Sequence, residues 1–181
     1  MKNSVKTVVA IGIGAALFFV LGRFVIIPTG IPNTNINIQY AVLSVFAGIF
    51  GPIAGALIGF IGHALIDLTA YGSPWWSWVI ASALVGAVNG LIWKKVGIAD
   101  GSFSGKKIVL FILTALAAHL IAWVGLAPVL DIVMYAEPVD KIFVQGLVAA
   151  AGNFVTTAII GTLLALAYTK TIAGKGTLEK E

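Results

Sequence analysis

Apolar runs follow one another along this chain, and its lysines stand almost only where those runs end. A run of roughly 20 apolar residues at 1.5 Å each crosses a bilayer core. Inside hydrocarbon a backbone must satisfy its own N–H and C=O groups, which favours helices. Only 10% of the residues are charged, against about a quarter in soluble domains. The reading is an all-α membrane protein in one transmembrane domain covering residues 1–181. With no cysteine, disulfides and thiolate metal sites are excluded. The net charge of +4 does not point to nucleic acid, because the lysines flank spans as topology requires.

The expected spans are about 7–27, 38–50, 52–70, 75–93, 108–126 and 142–168. The first is read as a span, not a cleaved leader, since it is long, ends at Arg23 and has no convincing small-residue cleavage site. Residues 38–70 allow two crossings, one crossing or a re-entrant hairpin. Charge parity decides. With two crossings, both termini share one side with Lys94, Lys95, Lys106 and Lys107, and only Arg23 and Lys141 of the eleven basic residues fall opposite. The positive-inside rule makes the lysine side cytoplasmic. The expectation is a compact six-helix bundle with both termini in the cytoplasm, multi-pass in the cell membrane. The connection 127–141 is expected to form a short surface helix or flap.

The stretch 51–78, GPIAGALIGFIGHALIDLTAYGSPWWSW, organises the rest. Gly51, Gly55 and Gly59 lie four apart, and the same step continues to His63, Asp67 and Tyr71. On a helix these share one ridge. One half is bare backbone suited to tight packing. The other carries an imidazole, a carboxylate and a phenol, followed by Trp75, Trp76 and Trp78. Ionisable groups within a span are costly and suggest function. Gln39 and Tyr40 open the second run, His119 and Trp123 lie four apart in the fifth, and Gln145 and Asn153 share a face of the sixth. All belong to the outer half. A structural reading stands beside each: His63 and Asp67 as a private pair, His119, Gln145 and Asn153 as interhelical bonds, the tryptophans as an interfacial belt. The polar loop 28–37, PTGIPNTNIN, is a surface connection or a lid, with Asn37 at its end. In the first run Ala10 and Gly14, and again Gly12 and Ala16, are small residues four apart. They serve internal packing or docking of another protein.

No complete phosphate-binding loop is present: Gly101 to Gly105 with Lys106 and Lys107 is one residue short and lacks the hydroxyl. His63, Asp67 and His119 are at most a weak metal hint. No charged relay runs through the whole membrane.

Six spans with GIGAALFFVLGRF in the first, then QYAVL, IGHALIDL, YGSPWWSW and AEPVDKIFVQGLVAA, resemble the substrate-binding (S) component of an energy-coupling factor (ECF) vitamin transporter. The nearest likeness is an S-component family beside the hydroxymethylpyrimidine and thiamine-precursor type. The resemblance covers about residues 1–170. It implies a non-enzymatic subunit with no cofactor or metal of its own. It also implies partners: one transmembrane coupling subunit and two ATPases that use ATP. The family's coupling motif falls on Gly12 and Ala16, and its gating loop on 28–39. The whole bundle would tilt to release its cargo inward. The expected ligand-contacting residues are Asn37, Gln39, Tyr40, His63, Asp67, Tyr71, Trp75, Trp78, His119, Trp123, Gln145 and Asn153. The expected partner face is Ala10, Gly12, Gly14 and Ala16. An autonomous carrier or channel and a metal-dependent intramembrane enzyme are the rival readings.

Overall fold

The computed structural model describes residues 2–178, with side chains from 5 to 172. Lys2, Lys175 and Lys180, which entered the orientation argument, lie outside the described side chains. The order is α1 (Lys2–Phe24), β1 (Ile26–Pro28), β2 (Asn35–Asn37), α2 (Gln39–Phe50), α3 (Pro52–Tyr71), α4 (Trp76–Gly90) and α5 (Trp93–Val96). Two long rods follow. The first is α6 (Lys106–His119), a π-helical stretch Leu120–Leu126 and α7 (Ala127–Tyr135). The second is α8 (Val139–Thr156), a π-helical stretch Thr157–Gly161 and α9 (Thr162–Leu178).

Among the described residues four helical rods are long and apolar enough to cross a membrane: Val5–Phe24, Pro52–Tyr71, Lys106–Tyr135 and Val139–Ile172. Helices α2 and α4 are apolar but only 12 and 15 residues long. Large aliphatic side chains face outward along the rods, as at Ile53 (75% exposed), Val8 (67%) and Leu113 (58%). In a soluble domain that much exposed apolar surface would drive association; here it suits lipid.

The connection expected at 127–141 is mostly helix. Proline at 128 reads as a helix stop because it has no N–H and crowds the preceding turn. The π turns at Leu120–Leu126 widen the backbone just before it, and the rod continues to Tyr135. Ala136, with φ of 53°, ends it, and its N–H donates to the Asp131 and Ile132 carbonyls. Only residues 136–138 remain as loop.

Glycine decides how α3 and α4 pack. A Cβ on Gly55 would overlap the Gly86 carbonyl, and one on Gly59 the Ser82 carbonyl. The backbones therefore touch there. Gly62 of α3 receives the Phe18 ring of α1 in the same way. The small residues of α1 divide. Ala10 is buried, and a Cβ on Gly14 would meet Ile58 and Phe46. Gly12 has nothing within 4 Å of its Cβ position, and Ala16 is exposed. Positions two apart on a helix point about 200° apart. Of the four residues expected at a partner face, Ala10 and Gly14 pack inside the bundle, and Gly12 and Ala16 face outward.

Candidate functional site

A cavity of about 440 Å³ opens at the end of the bundle where α3 finishes and α4 begins. Eleven of the twelve expected contact residues line it: Asn37, Gln39, Tyr40, His63, Asp67, Tyr71, Trp75, Trp78, Trp123, Gln145 and Asn153. His119 does not.

The α3 ridge supplies the polar side. Asp67 is 4% exposed. Its Oδ2 accepts the Trp75 backbone N–H at 2.8 Å, and its Oδ1 lies 3.5 Å from His63 Nε2. The turn between α3 and α4 is closed by that carboxylate, with Gly72 in the left-handed region at φ 82°. His63 Nδ1 is 2.5 Å from Ser82 Oγ, which is also 2.9 Å from the Tyr40 hydroxyl. Ser82 thus ties α2, α3 and α4 together below the cavity. The Gln39 Oε1 is buried without a hydrogen-bond partner.

Opposite stands an aromatic wall. Trp78 and Trp123 have ring centroids 5.1 Å apart, and Tyr40 meets Trp123 edge-on at 5.6 Å. Such arrangements suit aromatic quadrupoles. Trp75 is backed by Tyr135 at 4.1 Å. Trp76 is not in the wall; it stacks on Phe60 at 6.0 Å on the outer surface.

His119 is fully buried behind this wall. The Trp123 indole N–H donates to its Nδ1 at 3.1 Å, so a neutral His119 carries its proton on Nε2, 3.1 Å from Thr157 Oγ1. The expected direct contact is replaced by support of Trp123. His119 packs against the Tyr40 ring, whereas His63 reaches the Tyr40 hydroxyl only through Ser82. Among the described residues no group of three histidine, cysteine or acidic side chains is placed to hold a metal.

The loop expected at 28–37 is a β-hairpin. Ile26 pairs with Asn37, Ile27 with Ile36 and Pro28 with Asn35, antiparallel. Thr29 Oγ1 donates to the Thr34 carbonyl at 2.6 Å across its tip, and Asn33 turns the chain at φ 56°. Three bonds fasten the hairpin to α8. The Asn37 N–H donates to Asn153 Oδ1 at 2.8 Å, Gln145 Nε2 to the Pro32 carbonyl at 2.8 Å, and Thr156 Oγ1 to the Asn37 carbonyl at 2.8 Å. Ile36 fills the space beside Gly152. Gln145 and Asn153 therefore bind hairpin backbone as well as lining the cavity.

The lining also contains residues not anticipated from sequence: Arg23, Asn33, Asn35, Ser73, Glu137 and Lys141. Lys141 pairs with Glu137 at 2.6 Å. The three asparagines at 33, 35 and 37 alternate along the hairpin, a signal visible once a strand is assumed. Asp131 lies in the 127–141 connection expected as a surface helix or flap. It is 2% exposed, and accepts from the Trp75 and Trp78 indoles at 2.7 and 2.8 Å and from the Ser77 hydroxyl.

Comparison with known proteins agrees with this architecture. Residues 2–170 match the family model described as ECF-type riboflavin transporter, S component. A UPF0397 protein of Lacticaseibacillus casei (strain BL23) is 52% identical over 178 residues, 98% of this chain and 96% of that one. One of Staphylococcus aureus (strain Newman) is 51% identical over 178 residues, covering 98% and 97%. No solved structure matches. With a transmembrane helical architecture and a family match along almost its whole length, the chain belongs to the S-component family of ECF-type transporters.

Proposed function

We propose that this chain captures a small vitamin or vitamin precursor from outside the bacterial cell and delivers it inward with an ECF module. The observation that carries the reading is the convergence of α2, α3, α4, the Trp123 π turn, α8 and the hairpin on one cavity. A flat heterocycle would stack on Trp78, Trp123 and Trp75. Asp67, His63 and Gln39 would bond its edges. A ligand lacking those edges leaves buried polar groups unpaired and is rejected. The ligand class proposed is hydroxymethylpyrimidine or a thiamine-like heterocycle. The family description makes riboflavin the natural competitor.

The cavity would open to the exterior, with Lys94, Lys95, Lys106 and Lys107 on the cytoplasmic side. Six crossings follow if α2 and α4 each cross as short helices, which puts both termini in the cytoplasm. The partners would be one transmembrane coupling subunit, docked on the outward Gly12 and Ala16 face of α1, and two ATPases. Release would follow toppling of the bundle, which smooth Gly/Ala surfaces permit. An autonomous carrier is disfavoured because the polar lining stays at one end, above the Gly55–Gly86 contact.

Uptake of labelled hydroxymethylpyrimidine, thiamine and riboflavin, in cells with and without the ATPases, tests the assignment. Uptake of one compound that depends on both this chain and the ATPases is expected. Undiminished transport by this chain alone would refute it.

A further inference from the structure

All three indoles of the cavity wall have their N–H turned away from the cavity and bonded behind it. Trp123 is held by His119. Trp75 and Trp78 are held by the two oxygens of one carboxylate, Asp131 Oδ1 and Oδ2. That carboxylate comes from α7, whereas both tryptophans belong to the start of α4, more than fifty positions away in sequence. Ser77, between them, donates a third bond to it. No cation lies within ion-pair distance of Asp131 among the described residues. A buried carboxylate without a cation is costly; here donors from the wall itself stabilise it. Asp131 is not a lining residue, so it reaches a ligand only through the rings it holds.

We propose that Asp131 is the positioning residue of the binding wall. It clamps Trp75 and Trp78 from behind, so that a ligand meets ring faces and no indole N–H. The role rests on the reading of this cavity as the substrate site. It adds a specificity rule: the three indoles offer the ligand ring faces and no hydrogen bond, so the wall selects by planarity and polar recognition falls to the other lining residues.

Indole N–H resonances of the five tryptophans, assigned by single Trp→Phe variants in ligand-free protein, test the clamp. Asp131→Leu keeps the shape of the side chain and removes both acceptors. The Trp75 and Trp78 signals should shift and the Trp123 signal should stay. Affinity for whichever of hydroxymethylpyrimidine, thiamine or riboflavin binds the wild-type protein should fall about tenfold or more, the consequence of leaving buried donors unpaired. Asp131→Asn retains one acceptor oxygen, so at least one of the two signals should shift and affinity should lie between the other two proteins. If the leucine variant does not fold, the asparagine variant decides alone. Unchanged Trp75 and Trp78 signals overturn the clamp, and shifted signals with unchanged affinity overturn the positioning role. Failure of the wild-type protein to bind any of the three compounds counts against the vitamin reading, and the ligand-free spectrum still decides the clamp.

Discussion

Helices α3 and α4 behave differently at their two ends. In the glycine half, Gly55 and Gly59 let α3 lie directly against the Gly86 and Ser82 carbonyls. In the polar half, His63, Asp67 and Tyr71 line the cavity together with Trp75 and Trp78, and His63 and Asp67 reach α4 and its first turn through side-chain hydrogen bonds. The same four-residue step produces both. Glycines let backbone meet backbone in the first half, and larger polar side chains bridge to Ser82 of α4 and to Trp75 at its start and line the cavity in the second. Close packing without voids makes the first region intolerant of added atoms. The second tolerates volume and is sensitive to lost polar atoms.

The most severe way to break this comparison is Gly55→Leu. Its side chain would overlap the Gly86 backbone and the Ala47 Cβ, neither of which can swing aside, and a loss of about 3 kcal/mol or more is expected. Thermal unfolding in detergent should show it as a collapse of the folded fraction. Next is Asp67→Asn, which keeps the volume and removes a buried charge that accepts the Trp75 N–H. Ligand affinity should fall by about 2 kcal/mol, read by equilibrium binding, with a smaller change in unfolding temperature. Third is Asn153→Ala, which deprives the Asn37 N–H of its acceptor. A cost of about 1 kcal/mol should appear as faster ligand dissociation and faster hydrogen exchange at Asn37. The smallest effect belongs to the far end. Lys94→Ala removes a charge that lies over the Trp93 ring at 5.3 Å, and should leave ligand affinity unchanged in the same titration.

What the sequence alone revealed follows the same physical line. The apolar runs and the ridge from Gly51 to Tyr71 were legible because helical spacing is local. Cavity-lining residues such as His63, Asp67, Gln145 and Asn153 were legible because polar groups in a hydrophobic run are rare and conspicuous. The hairpin was not: Ile26–Pro28 and Asn35–Asn37 are three residues each, too short for an alternating pattern, and each joins a proline or a row of asparagines. The rod through Pro128 was hidden because proline ordinarily ends a helix and the π turns that admit it have no sequence signature. The burial of Asp131 was hidden for the same reason: its partners on α4 follow from the helix that turns it inward. His119 was assigned to the cavity because its depth was visible and its rotation was not. That rotation is set by Thr157 and Trp123 together.

The central claim is that the cavity holds a heterocycle in the native protein. Native mass spectrometry of the purified chain tests it most directly, comparing wild-type protein with the Trp78→Ala, Asp67→Asn double variant. A single small aromatic molecule bound one-to-one in the wild type and absent from the variant is the expected result. The same molecule retained equally by both proteins would contradict it.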